Sequence, residues 1–224
     1  MILPTLAAPV FAILAGLSGL ASCLEQPRIN IDVTLKEEEP VYIRNRTAKE
    51  IGRLKALEPP RADGRKRRTL GLTQGSMSYS YETQFTQVIQ PAGHSACFAV
   101  KAATLAIIYK PTIYIASDYK SSGCGIGIIV AHEERHAEAD VDVATAFLPA
   151  LKKQLGAAAR SIGVRGPFPQ RMLEDEKQKV AQDIHSKMDA VEEDLLQERI
   201  KSHAVFDTDA NYAQEMRPCL GKKR

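Results

Sequence analysis

The run His132-Glu133-Glu134-Arg135-His136 holds the residues of this chain whose types and spacing suit chemistry best. In a helix, residues four apart share one face, one turn above the other. Two imidazoles placed in this way can bind one Zn²⁺ at about 2 Å each. Glu133 then projects beside the ion, where a carboxylate can take a proton from a polarised water and pass it to a leaving amine. The expectation is hydrolysis, with His132 and His136 as metal ligands, Zn²⁺ as cofactor and Glu133 as general base.

A catalytic zinc takes a third protein ligand, and the residues leave its identity open. Asp140 continues the spacing of the two histidines, but a helix rises about 12 Å from His132 to Asp140, too far for one ion. Asp140 is therefore expected to hydrogen-bond a histidine and not to touch the metal. Glu176 and His203 are the candidates from later in the chain, with His185 beside them. An ordinary solvated glutamate is the plainer reading of Glu176, and neither His94 nor Glu138 has a better claim. The metzincin extension is absent, because the residue six after His136 is Asp142. Tyr212 is named only by residue type, as a hydroxyl that could steady an oxyanion.

These residues need elements to position them. From Gly125 onward the apolar period is helical, running through Val141, Val143, Ala144 and Phe147, with a kink or restart expected at Pro149 before Ala159. Upstream, Asn30 to Leu35 alternates like a half-buried strand, and Val41-Tyr42-Ile43 continues in that style. Thr47 with Glu50 has capping-box spacing for a short helix ending near Leu57. Met77 to Gln87 alternates again, with Tyr79, Tyr81, Thr83 and Phe85 on one face. Cys97 to Tyr109 is nearly continuous in apolar residues, and Thr112 to Ala116 is short and β-rich. Lys110-Pro111 between them predicts a tight connection and an antiparallel pair. A long charged helix is expected over 172–202, with Leu173, Val180, Ile184, Val191 and Leu195 in one stripe. The tail beyond it carries no strong pattern.

The fold class expected is α+β: a small antiparallel sheet, the motif helix packed on it, and a long C-terminal helix completing the site. With 44% hydrophobic residues in 224, one domain over 24–224 can bury a sizeable core. A net charge of +3 gives no reason to expect a nucleic-acid partner. Residues 58–75 read as a loop. Its run Arg65-Lys66-Arg67-Arg68 is taken as solvated and protease-accessible, in preference to a docking patch for anionic lipid.

Residues 1–23 read as an export signal. Ile2 to Ala21 holds no charged residue, while Pro4, Pro9, Gly16 and Gly19 argue against a stable spanning helix. Leu20-Ala21-Ser22-Cys23 resembles a lipobox, which implies lipid on Cys23 and membrane attachment through it; the absence of Lys or Arg near Met1 departs from that pattern. The expected location is periplasm, outer membrane or outside the cell, which also argues against nucleic acid. In an oxidising compartment Cys97–Cys124 is the preferred disulfide, with Cys219 free, or paired with Cys23 if that thiol carries no lipid.

Taken together, the exported start, Thr112 to Ala116, Cys124 and His132 to His136 resemble a group of uncharacterised bacterial secreted proteins regarded as zincin-like, gluzincin-type zinc peptidases. The resemblance covers residues 95–145, and more weakly His203, Asp207, Thr208, Tyr212 and Cys219. It implies His132 and His136 as ligands and Glu133 as base, and it brings no substrate. The reading that follows is a peptidase acting on peptide or protein in the cell envelope, with amide hydrolysis on peptidoglycan also open. Against it stands a non-catalytic lipid-anchored envelope protein that binds a partner and keeps a structural or vestigial metal site.

Overall fold

Two stretches of about twenty residues dominate the sheet, because each keeps one apolar face along its whole length. They are β3 (Gly71–Gln90) and β4 (Ser95–Ile115), paired antiparallel from Gly71↔Ile115 to Gln90↔Ser95. The structure, a computed structural model, describes residues 24–55, 69–90, 94–119 and 123–220. The segment read as an export signal, Cys23 and the basic run Arg65 to Arg68 lie outside the described residues.

The far edge of β4 is shared end to end by three short strands. β5 (Val164–Pro169) pairs antiparallel with the start of β4, while β1 (Asn30–Glu37) and β2 (Val41–Ile43) pair parallel with it farther along. The sheet is therefore mixed, where an antiparallel one was expected. The expected break at Lys110-Pro111 is also overturned, since β4 runs straight through it. β1 pairs as far as Tyr109 and β2 begins at Thr112, so the proline sits at a level where that edge of β4 has no partner strand, as proline in a strand requires.

Helices cover one face. α2 (Gly123–Ile162) runs the length of the sheet without a break at Pro149. α3 (Leu173–Ser186) and α4 (Asp189–Phe206) then run back beside it. The single helix expected over 172–202 is thus two, divided at Lys187 and Met188. No glycine or proline marks the division; Met188 is buried there in the core. The predicted stripe holds on both pieces, with Leu173, Val180, Ile184 and Leu195 buried. Leu173, Val180 and Ile184 join Phe98, Leu105 and Ile107 from β4 and Leu151 and Leu155 from α2, with Tyr79, Tyr81 and Phe85 packed against them. α1 (Ala48–Lys55) covers one end of the opposite face, packing Ile51 on Leu72 and Ala116. Its capping box forms as expected, with Glu50 Oε2 accepting from Thr47 N at 2.7 Å. The rest of that face shows solvent an exposed row, Ser76, Ser78 and Ser80, as a one-sided sheet should.

A last helix, α5 (Asp209–Leu220), lies where the sequence shows no strong pattern. Its anchor is the disulfide Cys124–Cys219, with a Cα–Cα distance of 5.9 Å. The expected Cys97–Cys124 pair is excluded by it. Cys97 lies near the start of β4, roughly 60 Å of strand at about 3.3 Å per residue from the end that feeds α2; it is itself disulfide-bonded.

Candidate metal centre

The path out along α2 and back along α3 and α4 brings residues some seventy positions apart together. His132 and His136 occupy the buried side of α2, 2% and 5% exposed, with ring centroids 4.8 Å apart. Their Nε2 atoms stand 3.2 Å from each other. Asp207, where α4 gives way to α5, places Oδ1 3.4 Å from each of them. Ligand atoms held about 2.0–2.1 Å from a tetrahedral zinc lie roughly 3.3–3.4 Å apart, so this triangle has the dimensions of one face of such a site.

The other ring nitrogens bear on the same question. His132 Nδ1 lies 3.1 Å from Glu215 Oε2, and the second oxygen of Glu215 is held by Arg135 at 2.5 Å. An imidazole that donates its Nδ1 hydrogen to a carboxylate keeps a bare Nε2 for a metal. His136 Nδ1 is buried with no hydrogen-bond partner among the described residues. Two nitrogens and a carboxylate oxygen converging on one point fit a divalent cation in chemistry as well as distance. Burial, the largest single influence on His132, pulls its pKa down, but the bond with Asp207 and the charges of Glu133, Glu215 and Asp207 leave it raised. At His136 burial prevails and the pKa is lowered.

Glu133 is 4% exposed and faces β3. Thr73 Oγ1 lies 3.0 Å from its Oε2 and 2.7 Å from its main-chain carbonyl. Gly71 leaves the room for it. A Cβ on Gly71 would press on Glu133 Oε1, and would stand 2.7 Å from Ile129 Cγ2 and 2.8 Å from Glu133 Cγ.

Asp140 is fully buried, and it hydrogen-bonds a histidine as expected, although that histidine is His203. Its Oδ1 accepts from His203 Nε2 and Arg199 Nε, each at 2.8 Å. Its Oδ2 accepts from Arg199 at 2.8 Å and from the Tyr109 hydroxyl at 3.0 Å. Arg199 also reaches the Gly75 carbonyl at 2.7 Å. Burial would raise the Asp140 pKa, yet the bonds and charges of Arg199 and His203 bring it down to about 2. Burial and the Asp140 carboxylate push the Tyr109 hydroxyl up, so it stays a donor.

His203, a candidate third ligand, is thus committed to Asp140, with its ring 4.7 Å from that of His136. Glu176 is not at the site: it pairs with Lys179 at 2.7 Å and borders a depression beside β5, at the other end of the sheet. His185 stacks on Tyr81 at 4.3 Å. Asp207, which the sequence reading did not offer as a ligand, is the third residue of the group able to hold an ion. One signal could have found it: it lies four residues after His203, one turn farther along the same face.

Tyr212 stacks on His132 at 4.4 Å and donates its hydroxyl to Asp207 Oδ1 at 2.9 Å. Comparison with family models, curated proteins and solved structures finds no match. What the fold and the site define is an α+β chain carrying a His132, His136, Asp207 group able to hold a metal ion. Among the described residues no helix is long and apolar enough to cross a membrane.

Proposed function

We propose that this chain is a zinc-dependent hydrolase, in the first instance a peptidase of the cell envelope. The observation that carries the reading is the triangle of His132 Nε2, His136 Nε2 and Asp207 Oδ1, with sides of 3.2, 3.4 and 3.4 Å. These residues would hold the ion, and Glu133, next to His132 on the same helix, would serve as general base. Zinc held there supplies Lewis acidity and brings the pKa of a bound water to about 7. Thr73 fixes the Glu133 carboxylate through Oε2, and Oε1 is the atom that would take up and return the proton. Tyr212, stacked on His132 with its hydroxyl on Asp207 Oδ1, would bring a hydroxyl close to a developing oxyanion. The free edge of β3, which pairs only with β4 among the described strands, lies beside Glu133 and suits an extended peptide.

The test is metal content of the purified full-length protein. About one zinc per chain is expected, with none in a His132→Ala, His136→Ala double variant. Asp207→Ala is expected to weaken zinc affinity at least tenfold, measured by competition with a chromophoric chelator. Absence of bound metal after zinc is supplied would end the reading. Once a peptide substrate is in hand, Gly71→Ala should lower kcat/KM about 100-fold, the cost of shifting a catalytic group by an ångström, and leave zinc content unchanged. Loss of zinc in that variant would show that the helix itself had moved.

The near-complete burial of both histidines favours a second reading, since structural zinc sites are closed. There the chain would be an envelope protein that binds a partner, and the metal would brace its fold.

A further inference from the structure

We propose that Glu215 is a positioning residue for His132, and that the Cys124–Cys219 disulfide holds it there, so that metal affinity depends on the oxidation of that cysteine pair. The inference rests on the metal reading above and assigns a role to α5.

α5 leaves Asp207, itself one corner of the donor triangle, and touches α2 at successive turns. The Tyr212 ring meets His132, the Glu215 carboxylate meets His132 Nδ1 and Arg135, and Cys219 is bonded to Cys124. Residues 212, 215 and 219 fall on one face of α5, and Cys124, His132 and Arg135 fall on one face of α2. The two faces are closed on each other like a strap fastened at its end.

Glu215 does for His132 what nothing described does for His136. By accepting the Nδ1 hydrogen it selects the tautomer with a free Nε2, fixes the ring plane and raises the basicity of the donor. The His136 Nδ1 has no such partner among the described residues, so the carboxylate support falls on one side of the site. Arg135 and the Tyr212 contacts help to hold Glu215, and the disulfide is the covalent tie between α5 and α2 among the described residues. No described side chain of α5 is fully buried, and a helix of 12 residues is marginal in water without tertiary support. A thiol reductant that breaks the bond passes two electrons and two protons to the pair, giving two thiols here and one disulfide in the reductant. The strap is then free to lift Glu215 from His132. Coupling between two equilibria is reciprocal, so bound zinc must make the pair harder to reduce by the same factor.

A double-mutant cycle tests this with zinc affinity as the readout, measured by chelator competition. Glu215→Ala and the pair Cys124→Ser, Cys219→Ser are each expected to weaken zinc by about 10–100-fold, the range for lost outer partners of a ligating histidine. Combined, they should be no weaker than Glu215→Ala alone. Glu215→Gln, which keeps an acceptor for the Nδ1 hydrogen, should recover part of the loss with the melting temperature of the metal-free protein unchanged. The proposal is overturned if the serine pair leaves affinity unaltered, or weakens it by the same factor without Glu215. Should the serine pair fail to fold, the wild type in a glutathione redox buffer reads the same coupling. Saturating zinc must shift the reduction midpoint of Cys124–Cys219 by that factor, and an unmoved midpoint overturns it. A wild type that binds no zinc removes the metal reading and this proposal with it. One that binds zinc indifferently to Glu215 and the disulfide removes this proposal alone.

Discussion

Glu133→Gln is expected to lower turnover of a peptide substrate by about 10²–10⁴-fold, the range for loss of a general acid-base group, while zinc stays bound at wild-type affinity. Gln has the shape of Glu and keeps an oxygen that can face Thr73, so the buried pocket formed by Gly71, Thr73 and Ile129 is disturbed little. What is lost is the atom that accepts a proton. His132, His136 and Asp207 are untouched, so metal content and chelator competition should be those of the wild type. The measurements are kcat and KM on a cleaved peptide, zinc content, and a thermal melt. A fall in kcat with KM unchanged would mark a group that acts in the transition state. Equal activity in the two proteins would remove Glu133 as base. A protein that binds a partner and hydrolyses nothing would keep its binding after the same substitution, so this one variant separates the two readings of the metal site.

Much of the site is local, and what is local was legible. His132, Glu133 and His136 are set by helical spacing alone, so the sequence places them on one helix. The stripe on α3 and α4 is likewise a matter of period, as is the inward face of β3 with Tyr79, Tyr81 and Phe85. Asp140 was excluded as a ligand by helix rise, and it does bond a histidine. The rest depends on where distant segments meet. Asp207 reaches the motif because α2 is long enough to span the sheet and α3 with α4 return along it, a distance that no local pattern encodes. Glu176 lost its claim for the same reason, since its place on α3 sets it at the opposite end of the sheet. The disulfide also follows from topology: β4 sets Cys97 a strand's length from the start of α2, where Cys124 lies, and α5 carries Cys219 back to it. Pro111 was read as a break because proline usually is one, and the gap between β1 and β2 that accommodates it exists only in the assembled sheet.

Asp140→Asn is expected to destabilise the fold by about 3–5 kcal/mol, the cost of leaving a buried charge without its partner. Asp140 accepts four hydrogen bonds, from His203, Tyr109 and twice from Arg199, and so joins α2, α4 and β4; Arg199 adds β3 through the Gly75 carbonyl. An amide offers one oxygen in place of two, and its NH₂ group points at donors. The Arg199 side chain is only 13% exposed, so water cannot replace what is lost. Urea denaturation of the metal-free protein gives the number, and a change below about 1 kcal/mol would show that the network is not what ties these elements together. The acid limb supplies a second check whose sign is fixed. The Asp140 pKa falls from an ordinary value of 3.8 to about 2 in the folded chain, a shift that corresponds to roughly 2 kcal/mol. A lowered carboxylate stabilises the fold fully above its unfolded value and loses that contribution as pH drops through the folded one. The stability difference between wild type and Asp140→Asn should therefore be flat above pH ~4 and shrink towards pH ~2. A difference that stays constant across that interval would mean that folding does not lower the Asp140 pKa, and that Arg199 and His203 are held by something else.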